Sequence, residues 1–262
     1  MTPEQPFQPL GAPPEPPTTA EAPPPAGQER NPFWHYPDLL LFAGLVVLAA
    51  LISLVLVPLA LSVLRVHIAS RVTQAILTQT LLYVLAFSGL AFLFRIEYDR
   101  PFWRSLGWEN FRLPVWLVML CGIATAIGVG AVSILLRTPN TNNRMTEMMA
   151  DRHAVVPVAF FAVTLGPLAE ELGFRGFLQP LLVRSLGPVG GVIAAAIPFG
   201  LLHAPEYGYS WRHVLLISLA GSLFGWMRYR TGSIQASALM HASYNALELV
   251  GFLAQQQGRT HV

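Results

Sequence analysis

Residues 161–180 read FAVTLGPLAEELGFRGFLQP, an apolar segment that three charged side chains interrupt. Two of them are the adjacent carboxylates of Glu170 and Glu171, and the third is the guanidinium of Arg175. A charge at the centre of a bilayer costs from about 3 to roughly 10 kcal/mol or more, so such groups are retained there chiefly for a task. We therefore interpret this segment as part of a buried polar site inside a membrane protein.

The composition of the whole chain agrees with a membrane location. Of its 262 residues, 53% are hydrophobic and only 11% are charged, whereas soluble domains carry about 25% charged residues. The net charge of +2 is too small to indicate a nucleic-acid partner. The single cysteine, Cys121, excludes an intrachain disulfide, and its apolar surroundings are typical of a small buried side chain.

The first 32 residues differ in composition from the rest. Residues 1–32 hold half of the chain's 22 prolines and few large apolar side chains, which predicts a disordered or polyproline-like tail. The stretch lacks the basic start and the short apolar run of a cleavable signal peptide. We expect residues 33–262 to form one transmembrane helical domain.

Long apolar runs predict an all-α membrane protein, a polytopic bundle of transmembrane helices. About 20 apolar residues cross the hydrocarbon core as a helix, and the first three runs reach that length. The predicted helices are Leu39–Leu64, Val72–Phe94, Leu113–Leu136, His153–Val183, Leu186–Ala204, His213–Met227 and Ser233–Ala254. The second half is weakly delimited, so eight helices are an alternative to seven. Trp103 and Trp108, in the charged connection 95–112, suit a membrane interface.

Prolines and glycines indicate where these helices bend or approach one another. Pro167 lies inside the fourth helix and predicts a bend, because proline lacks an N–H and its ring clashes with the preceding turn. Gly187 and Pro188 lie in the first turn of the fifth helix. Small residues that permit close packing recur in the third and sixth helices, at Gly122, Gly128, Gly130, Gly221 and Gly225.

The spacing of the three charged residues predicts which of them form an ion pair and which one reacts. Glu171 precedes Arg175 by four residues, the favoured arrangement for an ion pair on one helix face. Adjacent helical residues diverge by about 100°, so Glu170 points elsewhere. We expect Glu170 to face a cavity as the reactive group. A purely structural network of the three charges is the alternative.

Two later helices carry further polar groups. His203 follows Phe199 by four residues, and Asn245 follows His241 by four, so each pair shares one helix face. His203 could orient or deprotonate water or bind a metal, or it could be a helix-end group bonded to loop carbonyls. His241 and Asn245 could belong to the site or could simply join helices. Because polar groups interrupt three of the last four apolar segments, one hydrolytic site explains them best.

The remaining candidate residues carry weaker signals. Neither His-Glu-x-x-His nor Gly-x-Ser-x-Gly occurs in the chain. Ser243 lies only two residues from His241, on another side of the helix, which disfavours a serine nucleophile. Glu248 lies near the face of His241 and could orient it or pair with an arginine elsewhere. The other histidines are interpreted as surface groups, and they are His35, His67, His153, His213 and His261.

Three motifs taken together resemble a known family. They are Glu-Glu-x-x-x-Arg at residues 170–175, Phe-x-x-x-His at residues 199–203 and His-x-x-x-Asn at residues 241–245. In this order they resemble the CPBP family of intramembrane proteases, which includes the type II CAAX prenyl endopeptidases and bacterial relatives linked to bacteriocin processing or immunity. The resemblance covers about residues 104–254, where it implies the catalytic core.

The resemblance implies a role for each motif residue. Glu170 and His203 would activate the attacking water, and His241 with Asn245 would stabilise the tetrahedral oxyanion or contribute to a metal site. The motif residues that would support the site rather than react are Glu171, Arg175 and Phe199.

Two mechanisms are open within this resemblance. A catalytic zinc ion takes three protein ligands plus water, and Glu170, His203 and His241 are the candidate ligands. Without a metal, Glu170 is the general base, His203 orients the water, and His241 with Asn245 holds the oxyanion. Asparagine is not among the usual zinc ligands, which favours the second mechanism.

The expected surroundings follow from this assignment. We expect an integral, multi-pass protein of a bacterial cell membrane, in contact with lipid and with a peptide or protein substrate that could be prenylated. A non-catalytic scaffold or immunity protein of the same fold is the main alternative. A proton-coupled transporter is another, since intramembrane Glu and His also form proton relays, but no internal repeat supports it.

Overall fold

The structure, a computed structural model, describes residues 32–68, 70–139, 144–149, 151 and 153–259. The predicted proline-rich tail lies outside these residues except for Pro32, whose side chain is buried. The proposed division into a tail and one transmembrane domain therefore stays a prediction.

The described residues form helices and no strands, which confirms the all-α fold. The α-helices are α1 (Tyr36–Val63), α2 (Arg71–Tyr98), α3 (Phe102–Leu106), α4 (Val115–Leu135), α5 (Arg144–Met149), α6 (Val155–Val163), α7 (Leu165–Glu171), α8 (Gln179–Leu202), α9 (Trp211–Thr231) and α10 (Ile234–Arg259). A π-helix (Leu172–Leu178) joins α7 to α8, and a 3₁₀ turn (Ala204–Tyr207) follows α8.

Four helical stretches within the described residues are long and apolar enough to cross a membrane. They are Tyr36–Val63, Arg71–Tyr98, Val115–Leu135 and the 48-residue run Val155–Leu202. Large apolar side chains such as Leu40, Val47 and Leu54 are more than half exposed on α1, as expected of a surface that faces lipid. The exact number of spans, predicted as seven, is not established by these lengths.

The longest of these runs contains two of the predicted helices. Its backbone leaves the helical region at Gly187, with a φ of 73°, so that α8 consists of two helices joined at a kink. Glycine adopts this left-handed conformation without the steric penalty that a side chain brings. The boundary between the fourth and fifth helices, predicted between Val183 and Leu186, is present but lies slightly later, at Gly187, which the sequence predicts to lie inside the first turn of the fifth helix.

The helix that carries the acidic pair is broken in the turn before Pro167. Thr164 has φ −126° and ψ −80°, which ends α6, and α7 begins at Leu165. Because a proline ring crowds the carbonyl four residues earlier, the distortion falls in that turn rather than at the proline itself. The predicted bend is therefore present, and it lies immediately before the acidic residues.

The helices α4 and α10 pack closely against each other at Gly122, one of the glycines predicted to permit close packing. A Cβ on Gly122 would lie 2.2 Å from the carbonyl oxygen of Met240 on α10, so only glycine allows this approach. A Cβ on Gly128 or Gly130 would meet no atom of the described residues within 4 Å, so the close packing predicted at these two positions is wrong for the part of the chain that the structure describes. The contact at Gly122 positions α10, which carries His241.

The start of α1 is attached to the π-helix. The indole of Trp34 is fully buried and donates a hydrogen bond from Nε1 to the carbonyl of Phe177, at 3.0 Å. Its ring stacks on Phe94 and Phe177. The π-helix that follows the acidic pair is thus supported by a residue at the beginning of the folded chain.

Candidate active site

A buried ion pair anchors the site. Arg175 Nη1 lies 3.0 Å from Glu171 Oε1, and both side chains are at most 1% exposed. Arg175 also donates from Nη2 to the carbonyl of Gly221, at 2.9 Å, and its guanidinium lies 4.3 Å from the centre of the Phe199 ring. The i to i+4 pairing of Glu171 with Arg175, expected from the sequence, is present. The other contacts of Arg175 connect the π-helix to α8 and α9.

The same carboxylate orients His241. Glu171 Oε1 lies 3.0 Å from His241 Nδ1, and because a carboxylate accepts hydrogen bonds, Nδ1 is the donor. The other ring nitrogen, Nε2, faces Glu170 Oε2 at 3.8 Å. The ring of Phe224 stacks on the imidazole at 4.4 Å, with an interplanar angle of 19°, which fixes the plane of His241.

The imidazole of His203 is fixed in a similar way. His203 Nδ1 lies 2.8 Å from the carbonyl oxygen of Phe199, and a carbonyl can only accept, so Nδ1 carries the proton. Its Nε2 points towards Glu170 Oε1 at 3.9 Å. The side chain is thus oriented by a carbonyl of its own helix rather than by the loop carbonyls of the structural alternative, and it also faces Glu170.

Glu170 lies between the two imidazoles. Its two oxygens face His203 Nε2 and His241 Nε2 at 3.9 and 3.8 Å, distances too long for direct hydrogen bonds. Gaps of this size between polar groups are typically bridged by water. Glu170 is 26% exposed while Glu171 is fully buried. The two carboxylates therefore sit in different environments, as the sequence predicts.

Asn245 lies one turn beyond His241 on α10 and contacts a different element. Its Nδ2 donates a hydrogen bond to the carbonyl of Ala162, at 2.8 Å, close to the break that ends α6. One of its two amide protons is committed to this bond, which leaves the other for a substrate. Asn245 lines the same cavity as His203 and His241.

That cavity has a volume of about 770 Å³ and lies among α4, α9, α10 and the turn after α8. Besides His203, His241 and Asn245, its polar lining includes Glu206, Tyr207, His213 and Glu248, whereas Glu170 lies behind the two histidines and is not part of the lining. Apolar side chains such as Ile127 and Phe252 line the remainder. A volume of this order accommodates a peptide side chain or a comparable ligand.

Several residues of this region differ from their sequence-based interpretation, and one is not identified from the sequence. His213 lines the cavity and stacks on Tyr207 at 4.5 Å, so its interpretation as a simple surface group is wrong. Glu248 does not orient His241, because Glu171 does, and among the described residues it forms no ion pair. Ser243 donates to the carbonyl of Leu239. The sequence does not identify Phe224 as part of the site, because an aromatic residue in an apolar helix has the same pattern as any core residue.

A zinc ion at this site would take an oxygen of Glu170 and the Nε2 atoms of His203 and His241, and these donor types suit zinc. Within the described residues, however, no three His, Cys, Asp or Glu side chains surround one point closely enough to hold a metal ion. In this arrangement the described residues do not fit the ion.

Comparison with known proteins supports the resemblance on which the motif assignment rests. Residues 152–247 match the family described as type II CAAX prenyl endopeptidase Rce1-like. No curated protein and no solved structure matches the chain. The matched segment contains all three motifs, from Glu170 to Asn245. Residues 152–247 of the chain are therefore similar to this family of CAAX prenyl endopeptidases.

Proposed function

We propose that the chain is a multi-pass intramembrane endopeptidase that cleaves a peptide bond of a membrane-associated substrate with water activated by Glu170 and His203. One observation carries this proposal. Two imidazoles, each with Nδ1 engaged, direct Nε2 towards opposite oxygens of one partly exposed carboxylate, at 3.8 and 3.9 Å. A structural ion network would bring its charged atoms as close together as Glu171 and Arg175 are, at 3.0 Å.

The water would occupy the gap between Glu170 and His203. Glu170 accepts one proton of the water, His203 Nε2 accepts a hydrogen bond from the other, and the water oxygen attacks the substrate carbonyl carbon. The carbonyl π bond opens to give a tetrahedral oxyanion. When the carbon–nitrogen bond breaks, Glu170 returns its proton to the leaving amine, and a carboxyl group and an amine are released.

The oxyanion would be stabilised from α10. Asn245 supplies its second amide proton, and a doubly protonated His241 supplies the proton on Nε2. The carboxylate of Glu171, 3.0 Å from Nδ1, offsets the charge of such an imidazolium while Glu170 carries the proton taken from the water. The role of Arg175 is then indirect, because it holds the carboxylate that holds His241.

Cleavage by reconstituted protein tests this proposal. Vesicles containing the full chain are incubated with membrane-anchored peptides, with and without a C-terminal prenyl group, and the fragments are identified by mass spectrometry. We expect Glu170→Gln to lower kcat by about 10²–10⁴, since it keeps the shape and removes the base. Glu97→Gln, the same change at an exposed position of α2, should retain activity.

The result also separates the enzyme from its main alternative. If Glu170→Gln cleaves as fast as the wild type, the water mechanism is wrong. If the wild type yields no fragments from any substrate while the protein's cellular effect persists in Glu170→Gln, the scaffold function is favoured instead. A preference between the prenylated and unprenylated peptides would identify the substrate class.

A further inference from the structure

A second cavity, of about 550 Å³, lies at the opposite end of the bundle from the opening of the first. It is bounded by α3, by the start of α8 and by the end of α9. A backbone hydrogen bond from Ile234 to the carbonyl of Gly107, at 2.9 Å, brings the start of α10 to the same place. The active-site cavity instead lies at the C-terminal part of α4 and extends along α9 from its first turn to Phe224, one turn before Arg228.

The lining of this second cavity is unusually basic. Arg104, Arg184 and Arg228 line it, with Glu109 as the only carboxylate in the lining. Arg104 and Glu109 lie 3.7 Å apart, and both are largely exposed, so their attraction is weak. The positive charge of the lining therefore exceeds its negative charge. The fourth arginine of the lining, Arg175, is already neutralised by Glu171.

Two of these guanidinium groups have backbone carbonyls as partners. Arg184 donates to the carbonyl of Pro32 at 2.8 Å, and Arg228 donates to that of Leu106 at 3.2 Å. Among the described residues, neither lies within ion-pair distance of a carboxylate, and the buried Nε of Arg228 has no hydrogen-bond partner. Removing a guanidinium from water without a counter-charge costs several kcal/mol, so an anion in the cavity would be stabilising.

The backbone is shaped to admit Arg228. Gly107 has a φ of 84°, and a Cβ there would lie 2.2 Å from Arg228 Nη2 and 2.7 Å from Cζ. A residue with a Cβ would be strained at this φ, and the guanidinium, the flexible end of its side chain, would have to shift. Gly107 therefore lets the guanidinium lie against the backbone beside the cavity, where no described carboxylate lies within ion-pair distance of it.

Aromatic side chains place the cavity at the level of lipid headgroups. Tyr229 lines it, Trp226 packs on Tyr229, and Trp103 lies in the adjoining α3, all three of them at least 40% exposed. Exposed tryptophan and tyrosine are enriched where a membrane meets water. Basic pockets between helices at this depth bind phosphate-bearing headgroups, and the planar guanidinium matches phosphate in a two-pronged geometry.

From the charge, the burial and the position together, we propose that this cavity binds a phosphate group, brought by the headgroup of an anionic phospholipid or by free phosphate. The site lies apart from Glu170, and its occupancy is a property of the folded chain whether or not that chain cleaves peptides.

Lipid binding to the purified full chain in detergent tests this proposal. Native mass spectrometry measures the binding of phosphatidylglycerol and of phosphatidylcholine with the same acyl chains, and a parallel titration uses inorganic phosphate. We expect Arg228→Gln to weaken the phosphate-dependent binding by about fivefold or more. Arg184→Gln should act in the same direction, and its exposed side chain makes it tolerant of substitution. Arg230→Gln, an exposed arginine on α9 outside the cavity, is the matched control.

Two outcomes support the site and identify its source of phosphate. A lipid headgroup is indicated if the wild type prefers phosphatidylglycerol to phosphatidylcholine, and if both cavity variants reduce this preference while Arg230→Gln preserves it. Binding of inorganic phosphate with the same dependence, while the two lipids bind alike, indicates soluble phosphate. The proposal is overturned if Arg230→Gln weakens binding as much as the cavity variants, or if no anion is preferred in any of the samples.

Discussion

Glu171 is the residue that connects the structure of the site to its chemistry. One of its oxygens lies 3.0 Å both from Arg175 Nη1 and from His241 Nδ1, in a fully buried position. Glu170, its neighbour in the chain, is partly exposed and has no charged partner closer than 3.8 Å. The two adjacent carboxylates should therefore respond to substitution in opposite ways.

We predict that Glu171→Gln lowers the free energy of unfolding by about 3–5 kcal/mol, because it leaves the buried Arg175 without a counter-charge. Glu170→Gln should change that free energy by less than about 1 kcal/mol, since it breaks no close ion pair. Denaturant unfolding in detergent micelles, followed by circular dichroism, measures both. Equal destabilisation by the two substitutions would contradict this division between support and reaction.

Asn245 combines a structural bond with an expected catalytic one. Asn245→Ala should lower kcat by about 10²–10³ because it removes a donor to the oxyanion. It should reduce the free energy of unfolding by only about 1 kcal/mol, through the lost bond to Ala162. Cleavage kinetics and unfolding are measured on the same preparation. Unchanged kcat with reduced stability would leave Asn245 as a residue that joins α10 to α6 and nothing more.

At the scale of the elements, the close contact of α9 with α8 and the π-helix fixes the relative positions of the site residues that these helices carry. A Cβ on Gly221 would lie 2.8 Å from Phe199 Cδ1 and 3.0 Å from Arg175 Nη2. Phe199 is buried and contacts both His203 and His241. The absence of a side chain at Gly221 therefore sets how closely the ion pair and the histidines can approach each other.

We predict that Gly221→Ala lowers the free energy of unfolding by about 1–3 kcal/mol, since an added methyl group in a packed contact displaces its neighbours. Gly128→Ala is the control, because no atom lies within 4 Å of its added Cβ, and helix propensity favours alanine over glycine by about 1 kcal/mol. Thermal unfolding in detergent compares the two. An equal effect of both substitutions would show that the contact at Gly221 does not constrain α9.

The positions of the long helices could be read from the sequence because hydropathy and helix-breaking residues mark them. The predicted boundary between the fourth and fifth helices falls within a few residues of the kink at Gly187, and the pairing of Glu171 with Arg175 follows from their spacing. The π-helix after Glu171 has no such signal, since Leu172–Leu178 contains no residue that demands it. The stacking of Phe224 on His241 depends on how α9 meets α10, which a linear pattern does not encode.

At the scale of the whole molecule, the match at residues 152–247 covers the site but not the helices that surround it. Trp34 supports the π-helix from outside the matched segment through its bond to Phe177. The two cavities lie at different ends of the same bundle, one beside Glu170 and one beside Arg228. The proposed hydrolysis and the proposed phosphate site can therefore be tested independently.

The central claim is that Glu170 and His203 activate water without help from a metal ion. Metal content by inductively coupled plasma mass spectrometry, together with cleavage in the same detergent-purified preparation, tests this most directly for the wild type and His203→Ala. We predict an active wild type that contains far less than one metal ion per chain and resists chelators. About one zinc ion per chain, lost together with activity in His203→Ala, would contradict the claim and make His203 a metal ligand.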